Sequence, residues 1–232
     1  LLVQNLFFYM NAQFLLLMAL NSGATLYMAE RPSATRFIGW IKELGANWCI
    51  FPEVVLKQPA MADDRHTQLS GVAIAAFSGD GHRELERRFG VPAREIFGMT
   101  EIGPGTYMPF EVTDMVGSGS IGAPSIFRKA RIRDPEGRPV ALGERGELQI
   151  AGPSMMKLYV NKPEATAASF DGEWFRTGDL ARADEQGFFY IVGRIKDMIR
   201  RAGENIAAFE IESVVRQLPE VVDCAVTPVP DE

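Results

Sequence analysis

The stretch "GVAIAAFSGDGHRELERRFG", residues 71–90, decides the fold class. It begins with an apolar run typical of a buried strand and continues through a Gly-rich loop. The charged segment after the loop predicts a helix that ends at Gly90. A strand, a loop and a helix in this order are the repeating unit of an α/β fold.

The same alternation continues toward the start of the chain. Apolar positions in 6–20 recur at helical spacing, and "GATLYMAE" and "NWCIFP" read as strands. Between them, "SATRFIGWIKELGA" predicts an amphipathic helix whose apolar face carries Phe37, Ile38, Ile41 and Leu44. Residues 1–110 are therefore predicted to form a mostly parallel sheet with covering helices.

The pattern changes twice after residue 110. From 111 to 192, Gly and Pro separate short strands, including a hairpin around residues 135–137 and the strands "GELQIAG" and "GFFYIVG". From 193 onward, "AAFEIESVVRQL" predicts a helix and "VVDCAVTPV" a strand. These segments predict a β-rich subdomain and then the opening of a small α+β domain.

The composition of the chain argues against two classes of protein, nucleic-acid-binding and membrane-spanning. The chain has 232 residues, 47% of them hydrophobic, and a net charge of −6, which argues against non-specific binding of nucleic acid. The apolar run 1–20 contains four Asn or Gln side chains and lacks a basic flank, so we expect a buried helix and no membrane span. Cys49 and Cys224 lie far apart, which favours reduced core cysteines of a cytoplasmic protein.

Two polar motifs follow predicted strands, "FSGDG" (77–81) and "FGMTE" (97–101). Open α/β sheets bind ligands at the carboxyl ends of their strands, so both motifs are candidate binding segments. A third motif, "FRTGDL" (175–180), ends with the carboxylate of Asp179 behind a Thr-Gly pair. Taken alone, an Asp in that position is most often a turn cap.

Five segments together resemble one family. "FGMTE", "GERGELQIAG", "EWFRTGDL", "GFFYIVGRIKDMI" and "GENIAAFEIE" occur in order over residues 97–212, as in adenylate-forming enzymes. This superfamily includes acyl-CoA synthetases, adenylation domains of peptide synthetases and luciferases. The resemblance implies a large α/β domain made of 1–110 and a β-rich subdomain, 111–192. Residues 193–232 would be the hinge and the start of a mobile C-terminal lid domain.

The resemblance also implies an activity. Such enzymes join a carboxylic acid to ATP, giving acyl-AMP and pyrophosphate, and then transfer the acyl group to a thiol. We expect an AMP-forming acyl-CoA ligase that uses ATP, Mg²⁺ and coenzyme A, with a homodimer left open. The alternatives are an aromatic CoA ligase, an amino-acid adenylation domain, a non-catalytic AMP-binding relative and a merely structural α/β domain.

Nucleotide-binding residues carry over position by position. Thr100 matches the family's phosphate-contacting Thr, and Glu101 matches its Mg²⁺-binding Glu. Phe97, followed by Gly98, would stack on adenine. Asp179 would accept hydrogen bonds from the ribose hydroxyls, and Arg194 would contact the same ribose.

The acid-binding residues depart from the family's pattern. Ser78, Gly79 and Asp80 stand where Gly-Ala/Glu-Pro is usual, near the acyl and adenine sites. A buried Asp80 could face a cationic or hydroxylated acyl chain, or it could cap the loop. Tyr9 takes the place of the family's His, and Gly103 would also line the acid site. This pattern is most similar to ligases of the carnitine/crotonobetaine type.

Two further features concern the C-terminal part and the missing motifs. Lys196 stands at the family's hinge position, where it would serve catalysis by allowing the lid domain to reorient. The family's phosphate loop would precede Leu1, and its late lysine would follow Glu232. We therefore expect this chain to be a fragment without adenylation activity of its own.

Overall fold

The computed structural model describes residues 1–3, 7–201, 204–216, 218, 220–221 and 224–227. The chain divides into two compact units. Unit 1 comprises Leu1–Arg128 and Pro153–Lys157, and unit 2 comprises Lys129–Gly152 and Leu158–Glu232.

Unit 1 contains a mixed sheet. Its strands are β1 (Leu2–Val3), β2 (Tyr27–Met28), β3 (Trp48–Ile50), β4 (Gly71–Ile74), β5 (Ala93–Met99), β6 (Gly103–Tyr107) and β7 (Ser120–Pro124). They are ordered β2-β1-β3-β4-β5-β6-β7. The strands from β2 to β5 pair in parallel, and β6 and β7 continue the sheet antiparallel. The predicted α/β class with a mixed or parallel sheet is confirmed.

Helices cover both faces of this sheet. They are α1 (Met10–Ser22), α2 (Phe37–Leu44) and α3 (Gly79–Phe89), with a 3₁₀ helix at Glu53–Lys57. Successive residues of a strand point to opposite faces. In β1, Leu2 packs into the core of α2 and α3, while Val3 packs against α1. The two cores therefore lie on opposite sides of the sheet.

The predicted apolar face of α2 is confirmed. Phe37 and Ile41 are fully buried, and Ile38 and Leu44 pack against the same core. Phe51 contributes to this core through an edge-on contact with the ring of Phe37, whose centroid lies 5.3 Å away. Burying each such side chain contributes about 1.5–3 kcal/mol, so this cluster is a main source of unit 1 stability.

The opening helix differs from the prediction of a buried helix. α1 places Ala12, Leu15 and Ala19 in the core, whereas Leu17 and Leu20 are exposed. The predicted start, Leu6, lies outside the described residues. None of the helices in the described residues is both long and apolar enough to cross a bilayer.

The strands of unit 2 pair antiparallel. Its strands are β8 (Lys129–Arg133), β9 (Gly146–Ala151), β10 (Phe170–Asp171), β11 (Trp174–Ala183) and β12 (Phe189–Arg194), with the short helix α4 (Pro163–Ala168). β11 lies between β9 and β12, and β8 pairs with β9. The predicted turn after β8 is present, since the Asp134 amide donates to the Arg138 carbonyl (3.0 Å) and the Arg138 amide donates to the Asp134 carboxylate (2.8 Å).

The C-terminal part of unit 2 begins directly after β12. A 3₁₀ helix (Ile195–Asp197) leads into β13 (Met198–Arg201), which pairs antiparallel with β14 (Glu204–Ala207) before helix α5 (Ala208–Val215). The predicted helix is thus present, although Leu218 lies beyond its end. Of the predicted strand 221–229, residues 222–223 and 228–229 lie outside the described residues, and residues 221 and 224–227 have no regular structure.

Candidate functional site

The motif "RTGDL" forms a β-bulge in β11. Arg176 pairs with Gln149 of β9, but the next pair joins Leu180 to Glu147. Three residues of β11, 177–179, therefore lie opposite one residue of β9. Such a bulge bends a strand and redirects its side chains, which is a common device beside binding sites.

Thr177 and Gly178 make this bulge possible. The Thr177 hydroxyl donates to the carbonyl of Leu148 (2.7 Å) and accepts from the amide of Asp179 (3.0 Å), which replaces lost ladder bonds. Gly178 has φ 73°, a left-handed conformation that side chains with a Cβ rarely adopt. A Cβ on Gly178 would meet no atom within 4 Å, so the glycine serves backbone conformation and not close approach.

The bulge sets Asp179 beside Arg194. The two residues are direct partners in the β11–β12 ladder, and Arg194 Nε donates to Asp179 Oδ1 at 2.6 Å. Asp179 is 5% exposed, whereas the Arg194 side chain is 45% exposed. A buried carboxylate needs a charged partner, and the arginine supplies one from the solvent side. The structure thus brings together the two residues that the sequence assigned to one ribose.

Arg176 has a structural partner. Its Nε donates to Glu147 Oε2 at 2.9 Å, and Gln149 donates to the same oxygen. Gln149 in turn accepts from Arg131, which also pairs with Asp171. These contacts tie β8, β9, β10 and β11 together on one face of unit 2.

In unit 1, "FGMTE" ends at a tight turn. Ile102 N–H donates to the carbonyl of Met99 (3.2 Å), so Thr100 and Glu101 occupy the two central positions between β5 and β6. The backbone carbonyl of Glu101 accepts from the amide of Met156 (2.7 Å), which anchors the turn to the segment 153–157. Thr100 is exposed and Glu101 is half-buried, so both side chains lie at the carboxyl end of β5, as predicted.

Glycines shape this turn. A Cβ on Gly98 would come within 2.5 Å of the Gly103 carbonyl oxygen, and Gly103 itself has φ 65°. Gly98 also lies against Met10 of α1, and Gly105 leaves room for the ring of Phe97. The predicted residues Phe97, Gly98 and Gly103 therefore share one tightly packed hairpin.

The loop after β4 lies at the same edge of the sheet, because β4 and β5 are parallel neighbours. Ser78 is the N-cap of α3, and its hydroxyl accepts from the amide of Gly81 (3.0 Å). Gly79 packs against the Gly117 carbonyl, which a Cβ would approach to 2.6 Å.

The structure corrects the expectation that Asp80 is buried or caps the loop. Its side chain is 98% exposed and pairs with Arg83 at 2.9 Å, so it is not buried, and the loop is capped by Ser78 instead. As the first-turn acid of α3 it interacts favourably with the helix dipole. Its assignment to the acid site stays a prediction.

Two further predicted residues lie at element ends. Tyr9 precedes α1, is 49% exposed and contacts the ring of Phe8, with centroids 4.5 Å apart. Lys196 lies in the exposed 3₁₀ helix that follows β12 of unit 2. Its role as a hinge residue stays a prediction.

The donor set suits Mg²⁺ better than a transition metal. Among the described residues, no three His, Cys, Asp or Glu side chains cluster as ligands for a metal ion. Mg²⁺ typically binds one or two carboxylates and completes its shell with water and substrate phosphates. A single carboxylate at an accessible turn, as at Glu101, fits that requirement.

Sequence reasoning missed two carboxyl groups below the loop after β4. Glu95, on β5, is 5% exposed, and its Oε1 accepts from the amide of Phe77 (3.2 Å). Glu53 accepts from both the amide and the hydroxyl of Ser78. Two adjacent charged residues, Arg94 and Glu95, within the strand that leads into "FGMTE" were the available signal for Glu95.

Known proteins are similar over most of the chain. A sulfoacetate–CoA ligase of Cupriavidus necator is 36% identical over 218 residues, which cover 90% of this chain and 42% of the relative. A crotonobetaine/carnitine–CoA ligase of Shigella dysenteriae is 34% identical over 227 residues, 92% of this chain and 43% of the relative. The chain thus spans less than half the length of these relatives.

A solved structure is also similar. The o-succinylbenzoate CoA synthetase of Bacillus subtilis, in complex with its acyl-adenylate intermediate, superposes with a TM-score of 0.88 at 26% identity. The comparison covers 100% of this chain and 48% of that one. The model of the family described as AMP-binding enzyme matches residues 1–160. That match extends over more than half of the chain, which therefore belongs to the family of AMP-binding enzymes.

Proposed function

We propose that the chain is part of an AMP-forming acid–CoA ligase. The observation that carries the proposal is the buried Asp179, held on a bulge and paired with Arg194, in a member of the AMP-binding family. An ionised carboxylate has acceptors only, which suits the two hydroxyl donors of a ribose. Similar structures include complexes with ATP and magnesium ion and with AMP.

The proposed reaction has two steps. An oxygen of the carboxylate attacks the α-phosphorus of ATP, and pyrophosphate leaves with the electron pair of the broken P–O bond. The thiolate of coenzyme A then attacks the acyl carbon, the thioester bond forms, and AMP leaves. Both attacks bring negative groups together, so the site has to neutralise charge in the transition state.

The turn between β5 and β6 carries groups for the first step. The hydroxyl of Thr100 can donate to a phosphate oxygen, and the carboxylate of Glu101 would hold Mg²⁺. That ion supplies positive charge to the phosphate oxygens. Phe97 and Gly98 would receive the adenine together with Ser78, Gly79 and Asp80. Tyr9 and Gly103 would contact the acid, and Lys196 would allow the C-terminal part to reorient between the steps.

The acid is proposed to carry a polar or aromatic group. Named relatives act on sulfoacetate, on crotonobetaine or carnitine, and, in the 44% identical feruloyl-CoA synthase of Amycolatopsis, on a feruloyl group. These acids differ in charge, so a panel of sulfoacetate, crotonobetaine and ferulate separates the chemistries. If Asp80 selects a cationic acid, Asp80→Ala will weaken the use of crotonobetaine and spare the other two.

The test is acid-dependent exchange of pyrophosphate into ATP by the full-length protein. We expect exchange with at least one acid, and a large loss in Asp179→Asn and in Glu101→Gln. Asp171→Asn is the matched control, because it removes a half-exposed carboxylate of unit 2 that pairs with Arg131. AMP binding without exchange would instead identify a non-catalytic relative, and exchange with amino acids alone would identify an adenylation domain.

The proposal includes a cytoplasmic location and leaves open whether the protein is a homodimer. Dependence on ATP and coenzyme A favours the cytoplasm, and fractionation with activity measurement checks it. Sedimentation of the full-length protein distinguishes a monomer from a homodimer.

A further inference from the structure

The loop that connects β4 to α3 begins in an unfavourable backbone conformation. Ala76 has φ 57°, in the left-handed region that residues other than glycine seldom occupy. Such a conformation persists only where surrounding contacts hold it, and it concentrates at functional sites. Two acidic side chains make the contacts that hold this one.

Glu95 holds the loop from β5. Its Oε1 accepts from the amide of Phe77, and the amide of Ala76 also interacts with the carboxyl group. Its other oxygen, Oε2, is buried without a hydrogen-bond partner. Burial raises the pKa of Glu95 to about 7, and the nearby Glu53 adds to the rise. The neutral acid is therefore well populated at neutral pH.

Glu53 holds the next residue of the loop from the opposite side. It lies in the 3₁₀ helix that follows β3, and its Oε1 accepts from the Ser78 amide (3.1 Å) and hydroxyl (2.5 Å). A Cβ on Gly81 would overlap this same oxygen, so the glycine leaves space for the carboxylate at the N-terminus of α3. A negative charge is favourable there because of the helix dipole.

Glu95 lies on β5 and Glu53 lies in the 3₁₀ helix after β3, and β3 and β5 flank β4 in the sheet. Between them the two acids bind the consecutive amides of Phe77 and Ser78. We propose that Glu53 and Glu95 are positioning residues, which together hold the loop Ala76–Gly81 in the shape that receives the acyl-adenylate. This inference rests on the proposed function for the identity of the ligand, but not for the loop contacts themselves.

The experiment compares Glu95→Ala, Glu95→Gln and Glu53→Ala in the full-length protein. Hydrogen exchange of the Phe77 and Ser78 amides reports on the loop, and KM and kcat of pyrophosphate exchange report on the ligand site. We expect Glu95→Ala to speed exchange at Phe77 about tenfold, the scale of one buried hydrogen bond, and Glu53→Ala to do so at Ser78. Both variants should raise KM for acid or ATP more than they lower kcat.

Glu95→Gln is the rescue variant, because an amide keeps the acceptor and resembles the neutral acid. It should stay within about twofold of the parent in both measurements. Glu86→Gln is the matched control. Glu86 contacts Arg94 of β5 and the Ala93 amide but no atom of the loop, so its variant should leave the Phe77 and Ser78 amides unchanged.

The outcomes separate the two proposals. Unchanged amide exchange in Glu95→Ala and Glu53→Ala would overturn the positioning role, and so would a Gln variant as impaired as the Ala variant. If Glu95→Ala does not fold, Glu53→Ala still supplies the test at the Ser78 amide. A further outcome is faster amide exchange in the variants while the parent protein exchanges pyrophosphate with no acid. That result would support the loop contacts and reject the ligase.

Discussion

The backbone conformation of Gly178 sets the position of the Asp179 side chain. Gly178 has φ 73° and open space around its missing Cβ, so an alanine there meets a backbone penalty and no clash. That penalty is about 1–2 kcal/mol for a residue with a Cβ. Because the carboxylate follows directly, relaxation of the backbone would also move Asp179 away from Arg194.

We therefore predict that Gly178→Ala lowers both thermal stability and AMP affinity. Gly187→Ala is the matched control, since Gly187 has φ 84° with no atom within 4 Å of its Cβ position and lies in the turn between β11 and β12. Calorimetric melting and AMP titration of both variants measure the effect. Equal loss of AMP affinity in the two would contradict the role of the bulge.

A buried histidine gives a pH-dependent contribution to stability. The Nδ1 atom of His82 lies 3.2 Å from the donor N–H of Gly117, so Nδ1 is the acceptor and Nε2 carries the proton donated to Ala93 O (2.9 Å). Burial lowers the pKa of His82 below 6.5, although the Glu86 carboxylate at 4.0 Å opposes this. Protonation would place a hydrogen on Nδ1, so that two donors, Nδ1–H and the Gly117 N–H, would face each other.

Since the folded pKa is the lower one, the contribution of His82 is complete above pH 6.5. It is lost as the pH falls from 6.5 through the folded value. We predict that His82→Gln, which does not titrate, shows a smaller loss of unfolding free energy between pH 7 and 5 than the parent. Urea unfolding at several pH values measures this, and parallel curves for the two proteins would exclude the histidine as the cause.

At the scale of elements, α3 is fixed by a buried ion pair. Arg88 Nε donates to Asp64 Oδ2 at 2.6 Å, and its other nitrogens donate to the carbonyls of Gln58 (2.8 Å) and Pro59 (2.9 Å). The Asp64 and Arg88 side chains are only 5% and 7% exposed. One side chain thus ties the end of α3 to the loop after the 3₁₀ helix.

Arg88→Met is predicted to destabilise unit 1 by about 3–5 kcal/mol, because it leaves the Asp64 carboxylate buried and unpaired. Arg87→Met is the control at the adjacent position, where the pair with Glu84 is solvent-exposed. We expect no measurable shift in its denaturation midpoint. If both variants melt alike, the buried pair contributes less than its geometry indicates.

Most elements could be predicted from the sequence, because they depend on periodicity and on local signals. The helix ending at Gly90 is an example, since a left-handed C-cap is encoded by the glycine itself. The bulge at 177–179 could not be predicted, because it depends on the register of β11 against β9. The same limit applies to Glu53 and Glu95, whose partner Phe77–Ser78 is distant in sequence, and to the exposure of Asp80.

At the scale of the whole molecule, each unit contains one cysteine. Cys49 of unit 1 is 0% exposed, and burial raises its pKa to about 12. Cys224 of unit 2 is half-buried, and its thiol lies 3.6 Å from the carbonyl of Glu212. Because the thiolate is the reacting species, the two residues should react with thiol reagents at very different rates.

We predict two labelling phases for the native chain with an aromatic disulfide reagent at pH 8. Cys224 should react first, whereas Cys49 reacts only when unit 1 opens, because its thiol is fully buried and burial raises its pKa. Cys224→Ser should remove the fast phase and keep the slow one. Denaturant should accelerate the slow phase, and Arg88→Met should accelerate it further, since that variant weakens unit 1. A Cys49 rate equal to that of Cys224, or insensitive to Arg88→Met, would contradict the buried ion pair as a stabiliser of that core.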